Sequence, residues 1–311
     1  ALYPNKTIDT QMNIVRDKVK CINTKYTGKG ISIAFIDTGI CKNNDFDSRI
    51  KCFYDVVNHK NYVYDDCGHG THVAGICSGS GANSNGKYRG IAPESNIVMI
   101  KALDFEGKGT ASDVLTGIQW IADNCKKYNI RILNMSIGAG ITNTKDPLVR
   151  AAEILWDMGI VVVAAAGNNG PQKGTISSPG ISKKIITVGS ADDINVSEND
   201  IGKSYSGRGP TKECVIKPDV VAPGTNIISC LCEDNKSNNY YKSLSGTSMS
   251  TPIVSGAIAL LLEKAPDLKP DDIKFMLKQS CHNLECSPNR QGWGLLDIEN
   301  LLNREVVYVR K

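Results

Sequence analysis

The sequence predicts an α/β protein, a mostly parallel sheet with helices on both faces. Two observations predict it. Short apolar runs recur at residues 31–36, 97–103, 130–137, 160–166 and 185–188, each bounded by Gly, Asn or Asp. This is the pattern of strands buried on both faces. Stretches of helical period lie between them, and strands alternating with helices imply a parallel sheet covered on each side.

The elements follow in chain order. Residues 12–19 read as a short helix within an N-terminal arm over 1–27. Gly28 and Gly30 open the first strand, and Asp37-Thr38-Gly39 closes it. Ser112 is the expected N-cap of a helix over 113–128, with Leu115, Ile118 and Ile121 on one apolar face. Pro147 suits the first turn of a helix over 147–158, which Gly159 ends. Pro252 and Pro270 suit the first turns of helices over 252–264 and 270–279. With no internal repeat and no linker, residues 28–311 read as one domain.

Composition narrows the function classes. The 311 residues carry a formal charge of +4 with no run of five or six like charges, so neither nucleic acid nor a membrane surface is an expected partner. The longest apolar stretches, 160–166 and 253–262, fall short of the roughly 20 residues needed to span a bilayer. The 11 cysteines are an odd number. Together with the absence of a visible leader at Ala1, they favour free thiols and a reducing, cytoplasmic compartment. Cys281, His282 and Cys286 lack a second ligand pair at metal spacing, so no metal is expected there.

Four segments carry chemistry. Asp37 ends a buried strand in Ala34-Phe35-Ile36-Asp37-Thr38-Gly39. His69 opens a small-residue helix in Gly68-His69-Gly70-Thr71-His72-Val73-Ala74-Gly75. Ser248 lies in Ser245-Gly246-Thr247-Ser248-Met249-Ser250-Thr251-Pro252, at a helix start. A serine hydroxyl is a weak nucleophile that needs a neutral imidazole to take its proton, and the imidazole needs a buried carboxylate to orient it. The fourth segment, Val163 to Gly170, places Asn168 just past a buried strand. Its side-chain N–H and the backbone N–H of Ser248 are candidate donors to a developing oxyanion.

These segments, in the order Asp, His, Asn, Ser, resemble the subtilisin family of serine proteases. Further matches are Arg89-Gly90-Ile91-Ala92-Pro93, Asn134-Met135-Ser136-Ile137-Gly138, Ser206-Gly207-Arg208-Gly209-Pro210 and the stretch from Lys217 to Gly224. The resemblance covers roughly residues 25 to 300 and is nearest to the intracellular bacterial branch, on its spacing and on Ser178-Pro179-Gly180. It implies a subtilisin-like peptidase domain over 28–311 and endopeptidase action on protein or peptide substrates through an acyl-enzyme. Asp37 would be the orienting acid, His69 the general base and then acid, Ser248 the nucleophile and Asn168 an oxyanion donor. An extended substrate would pair with two edges, Gly107-Lys108-Gly109 and Ser136-Ile137-Gly138. Ala164, Ala165 and Ala166 would wall the pocket before the cut with Ser136 to Gly138, Ser177 near its base. No cofactor is required, and structural calcium is an option the resemblance leaves open, with Asp45 at one ligand position.

The chain departs from the family pattern at Ser250, where Ala is usual, at Cys67, where Asp or Asn is common, and at Gly207, where Ser is common. Other readings are weaker. The hydrophobic-Asp37-Thr38-Gly39 run also fits an aspartic protease, which needs a second such carboxylate. His69 and His72 lack a third metal ligand, and Gly107-Lys108-Gly109-Thr110 lacks phosphate-loop spacing. A pseudoprotease binding extended peptides in an inert cleft is the alternative of another class. Its usual sign is a missing triad residue, and none is missing.

Overall fold

The computed structural model describes residues 11–140, 145–192, 204–232 and 239–309. Seven strands form one parallel sheet: β1 Ser32–Asp37, β2 Ile50–Asp55, β3 Asn96–Lys101, β4 Ile130–Met135, β5 Val161–Ala165, β6 Ile186–Ser190 and β7 Val220–Ala222. Their order across the sheet is β2-β3-β1-β4-β5-β6-β7. All six residues of β1 are buried, and fully burying one such aliphatic side chain stabilises the fold by about 1.5–3 kcal/mol.

Helices α2 (His69–Ser78) and α5 (Thr247–Lys264) pack together, with α5 lying along β4, β5 and β6. Helices α3 (Ala111–Asn124) and α4 (Pro147–Asp157) pack together beside β1 and β5. Apart from Ser248, every residue of α5 from Thr247 to Leu262 is buried. That makes it a central helix, apolar on all sides except for the hydroxyls discussed below. Helix α1 (Met12–Lys18) joins the same core through Met12 and Val15. An antiparallel hairpin, β8 (Ile227–Cys230) with β9 (Tyr241–Leu244), leads into α5. Helices α6 (Pro270–Ser280), α7 (Pro288–Gln291) and α8 (Ile298–Asn303) complete the described elements.

The structure shifts several expected boundaries. The cap of α3 is Thr110, two residues before Ser112, because Thr110 and Asp113 form a reciprocal capping box. Helix α5 begins at Thr247, so Pro252 lies inside it rather than in its first turn. Strands β2 and β9 escape the periodicity because they are only half-buried, and β7 and β8 because they have three and four residues.

The strand order brings catalytic ends together. Strand β1 is central, flanked by β3 and β4, so the chain departs toward one edge and then crosses to the other side. Open α/β sheets bind ligands outside the carboxyl ends of strands at such a reversal. Asp37 ends β1, and Ser136 follows β4 beside it.

One histidine ties the two halves of this end. His72 on α2 is buried, and its Nε2 lies 3.0 Å from the Ile227 carbonyl oxygen and 2.9 Å from that of Lys242. Nε2 therefore carries the proton and donates to the hairpin. Burial pushes the His72 pKa down to about 3. The folded protein thus resists binding a proton that the unfolded chain takes up near pH 6.5. Stability from this residue is full above about pH 6.5 and falls by up to about 1.4 kcal/mol per pH unit toward about pH 3. Urea midpoints measured from pH 7 to pH 4 should fall steeply in the parent and more gently in His72→Gln; parallel slopes would remove His72 as the cause.

Candidate active site

The site begins with a carboxylate that does no chemistry itself. Asp65, four residues before His69, is buried, and both its oxygens are taken. Oδ1 accepts from Thr38 Oγ1 at 2.8 Å, from the Gly68 amide at 2.7 Å and from the Cys67 amide at 3.2 Å. Oδ2 accepts from the Thr71 amide at 2.8 Å and the Thr71 hydroxyl at 2.6 Å. Asp65 therefore caps the start of α2, where amides lack helical partners, and bolts it to the residue after Asp37. Thr38 Oγ1 in turn accepts from the Gly70 amide at 2.9 Å. Gly70 leaves room for this: a Cβ there would lie 2.2 Å from the Gly39 carbonyl oxygen.

The result is a short contact between two functional side chains. His69 Nδ1 lies 2.7 Å from Asp37 Oδ1, with Asp37 fully buried and the His69 side chain 26% exposed. The Thr38 amide donates to the same Asp37 oxygen at 2.7 Å. Burial lowers the His69 pKa, but the Asp37 charge and hydrogen bond, and then Asp65, outweigh it, so the net shift is upward. Lys101, wholly buried, braces the neighbouring backbone by donating to Thr38 O at 2.6 Å, Leu103 O at 2.8 Å and Asp66 Oδ1 at 2.6 Å.

Ser248 sits at the second position of α5, facing the same groove as His69. Its hydroxyl donates to the Ser136 carbonyl at 2.9 Å. Among the described residues no hydrogen bond joins this hydroxyl to the imidazole, and unliganded sites often tighten that contact only when substrate binds. Asn168 is aimed by Thr247, whose amide and hydroxyl donate to Asn168 Oδ1 at 3.0 and 3.1 Å. That fixes the amide so that Nδ2 points away as a donor. Gly246 makes the approach possible, since at φ +151° a Cβ would lie 3.2 Å from Asn168 Nδ2 and 3.7 Å from the Ser248 amide nitrogen. Both donors therefore border one spot beside the nucleophile.

A groove of about 570 Å³ runs past these groups. Gly107, Lys108 and Gly109 line one edge and Ser136, Ile137 and Gly138 the other, with Leu103, Val114 and Leu148 as apolar lining. Ala164 and Ala165 are buried in β5 and Ala166 just after it, and none of the three lines this groove. Ser177 is also buried and abuts Gly138, where a Cβ would meet Ser177 Cβ at 3.0 Å. Asn169 donates to Ser177 Oγ at 3.1 Å, a link sequence reading leaves without a role. Ser250, the departure nearest the nucleophile, turns its hydroxyl to the Ala222 and Pro223 carbonyls at 2.9 and 3.1 Å, away from the groove. Gly207 packs so tightly that a Cβ would lie 2.4 Å from Ala166 O. Cys67 lines the groove, and burial pushes its thiol pKa up.

Asp45 does not fit a calcium ligand. Its carboxylate is occupied by donors: the Asn83 amide at 3.0 Å, the Tyr241 hydroxyl at 2.9 Å and, at 3.3 Å, Cys230 Sγ, while Arg49 donates to its carbonyl. Such a shell satisfies an anion with protons rather than presenting it to a cation. Among the described residues, no group of three or more His, Cys, Asp or Glu side chains is arranged to hold a metal ion.

The expected cytoplasmic location is overturned. Cys41 and Cys232 form a disulfide, a bond that oxidising compartments outside the cytoplasm favour. Cys21, Cys77 and Cys230 are buried, and burial pushes the Cys77 thiol up to about 12. They pack as small apolar residues, so their number says little about the compartment. No helix of the described residues is long and apolar enough to cross a membrane.

An aspartate–histidine pair at the carboxyl end of a parallel sheet, with a helix-start serine in the same groove, defines a serine protease on an α/β scaffold. The chain belongs to the subtilase family, whose profile matches residues 28–294. It is 45% identical over 297 residues to serine protease AprX of Bacillus subtilis, an alignment covering 88% of this chain and 66% of AprX. The chain thus spans just under two thirds of that relative's length. It is 35% identical over 288 residues to subtilisin DY of Bacillus licheniformis, covering 92% of this chain and 95% of that one. In three dimensions it matches a crystal structure of a cold adapted subtilisin-like serine proteinase at TM-score 0.71 and 32% identity, over 88% of this chain and 91% of that one.

The raised His69 pKa has a kinetic consequence. Only neutral imidazole accepts the serine proton, so kcat/KM should fall as pH drops through the His69 pKa, and the acid limb should lie above the ordinary 6.5. A pH profile from 5 to 9 checks this; a flat profile, or a midpoint below 6.5, would count against His69 as the base.

Proposed function

We propose that the protein is an endopeptidase that cleaves extended protein or peptide segments through an acyl-enzyme on Ser248. The observation carrying this reading is the 2.7 Å contact of His69 Nδ1 with buried Asp37, in a groove that also holds Ser248. Asp37 keeps the imidazole in the tautomer whose Nε2 can accept a proton. His69 takes the Ser248 proton as Oγ attacks the scissile carbonyl, and returns it to the leaving amine. Water then repeats the sequence to free the acid. Asn168 Nδ2 and the Ser248 amide stabilise the oxyanion in each half, a kind of stabilisation that is often the largest single contribution to catalysis.

Substrate backbone pairs with the edges at Gly107–Gly109 and Ser136–Gly138, an addition of a strand that gives affinity with little regard to sequence. The residue before the cut is taken as uncharged and apolar, since Ser136 to Gly138 on the groove carry no charge and Leu103, Val114 and Leu148 add apolar lining. A peptide library in which Arg or Glu at that position was cleaved best would remove this preference. Asp45 supplies no support for calcium at that position; structural calcium held elsewhere would show as a melting temperature that falls in a chelator, and an unchanged one would remove it. The Ser178-Pro179-Gly180 likeness supports a lineage near the intracellular bacterial branch and says nothing of compartment; a family tree placing the chain elsewhere would remove it.

The deciding measurement is intact mass after treatment with a fluorophosphonate, on the parent and on Ser248→Ala. One adduct on the parent and none on the variant is the expected outcome. No adduct on either would point instead to an inert, peptide-binding cleft.

A further inference from the structure

Helix α5 carries a local defect at its functional end. Residue i of an α-helix donates its N–H to the carbonyl of residue i−4. Pro252 has no N–H, and the carbonyl it would serve is that of Ser248. A carbonyl left without a donor so close to the core would cost about 1–3 kcal/mol. The structure supplies a substitute from another element. Ser136, just past β4, donates its hydroxyl to the Ser248 carbonyl at 2.9 Å.

That substitute is itself held by a directed chain. A hydroxyl has one proton, and Ser136 has spent its own on Ser248, so it must accept from its other neighbour. Asn134 Nδ2 lies 2.9 Å from Ser136 Oγ and donates to it. With that amide direction set, Asn134 Oδ1 is an acceptor, and Ser255 Oγ donates to it at 2.9 Å. Asn134, Ser136 and Ser255 are all buried. The chain therefore leaves α5 at Ser255, crosses β4 and returns to α5 at Ser248. The same Ser136 accepts the Ser248 hydroxyl on its carbonyl at 2.9 Å. Two reciprocal bonds thus join Ser136 and Ser248, one of them to the carbonyl that Pro252 leaves without its helical donor.

We propose that the Ser136 hydroxyl is a positioning residue for the nucleophile: it stands in for the missing Pro252 N–H and, backed by Asn134 and Ser255, sets where Ser248 presents its Oγ to His69. The inference rests on Ser248 being the nucleophile. Ser136 touches substrate through its backbone edge, whereas this role belongs to its side chain, so the two separate on mutation. Removing the hydroxyl leaves the backbone edge in place, frees the Ser248 carbonyl and strips Asn134 Nδ2 of its acceptor. Misplacement of a reacting group by about 1 Å can cost on the order of a hundredfold in rate.

The test is a double-mutant cycle of Ser136→Ala and Pro252→Ala, read by kcat, KM and the rate of fluorophosphonate addition, with melting temperature alongside. Ser136→Ala should lose roughly tenfold or more in kcat and in addition rate at nearly unchanged KM. In the Pro252→Ala background, where residue 252 again has an N–H for the Ser248 carbonyl, the same change should cost no more than about twofold. Ser255→Ala should lower the addition rate in the same direction by a smaller factor. If Ser136→Ala keeps the parent's kcat, or loses the same factor in both backgrounds, the hydroxyl does not position Ser248. If Ser136→Ala does not fold, an unchanged addition rate in Ser255→Ala overturns the proposal. A parent that takes no adduct overturns the nucleophile assignment and this inference with it, whereas a labelled parent beside an equally fast Ser136→Ala overturns this inference alone.

Discussion

The Asp65 carboxylate is the joint on which the site depends. A catalytic pair contributed by a strand end and a helix start must be held in register by something outside both. Asp65 does this by collecting five donors, one from the turn after Asp37 and four from the chain entering α2. Buried charge-assisted hydrogen bonds of this kind are among the stronger ones available to a protein. Losing their common acceptor would strand several donors at once. The sulfur atoms of Cys232 and Cys41 lie 3.3 and 3.6 Å from the Asp65 carbonyl oxygen, and Thr71 Oγ1 lies 3.5 Å from Cys232 Sγ. The disulfide therefore packs against the joint and links it to the hairpin that leads into Ser248.

This arrangement explains how a carboxylate hydrogen-bonded to an imidazole can be kept at the edge of a hydrophobic core. Asp37 is fully buried, and a lone buried carboxylate is costly. Its Oδ1 receives the Thr38 amide and His69, while its own carbonyl accepts the Ala102 and Leu103 amides. Lys101, buried at the end of the adjacent strand, adds a positive charge within the same backbone cluster. These bonds satisfy Oδ1 and the backbone carbonyl of Asp37, whereas its Oδ2 is buried without a hydrogen-bond partner. A low local dielectric then strengthens the pull of Asp37 on the imidazole, which is why the upward contributions to the His69 pKa win over burial.

Much of this was legible in the sequence, and the exceptions share a cause. Strands β1, β3, β4, β5 and β6 announce themselves because burial on both faces demands unbroken apolar runs. Asp37, His69, Asn168 and Ser248 stand out because each occupies an element end in a recognisable order, and the structure places His69 and Ser248 in one groove, with Asp37 bonded to His69 and Asn168 aimed by Thr247. The supporting residues are different. Asp65, Ser136 and Thr247 act by where their oxygens point, and hydroxyls and carboxylates of this kind are common in any loop. An Asp four residues ahead of a helix-opening His is a signal only after the cap it makes is seen. The cysteines mislead for a related reason: buried thiols used for packing count the same as paired ones in a composition, although only Cys41 and Cys232 bond.

The helix that carries Ser248 breaks local rules where function is densest. Its N-cap is Gly246 at φ +151°, with no side-chain cap, and Pro252 interrupts its ladder. In an ordinary helix the glycine cap would cost about a few tenths of a kcal/mol and the internal proline about 3 kcal/mol. Here each local loss coincides with a gain that only the assembled site reveals. The missing side chain at residue 246 lets Asn168 approach the Ser248 amide, and the missing N–H at residue 252 lets Ser136 reach the Ser248 carbonyl. Asn168 takes the place of the absent cap by accepting the Thr247 amide at 3.0 Å, and the Thr247 hydroxyl accepts the Gly167 amide at 3.2 Å. Natural sequences concentrate such inconsistencies between local preference and global structure at functional sites. In this chain the two of them flank one residue from either side in sequence, which is a reason, independent of any motif, to regard Ser248 as the centre of the chemistry.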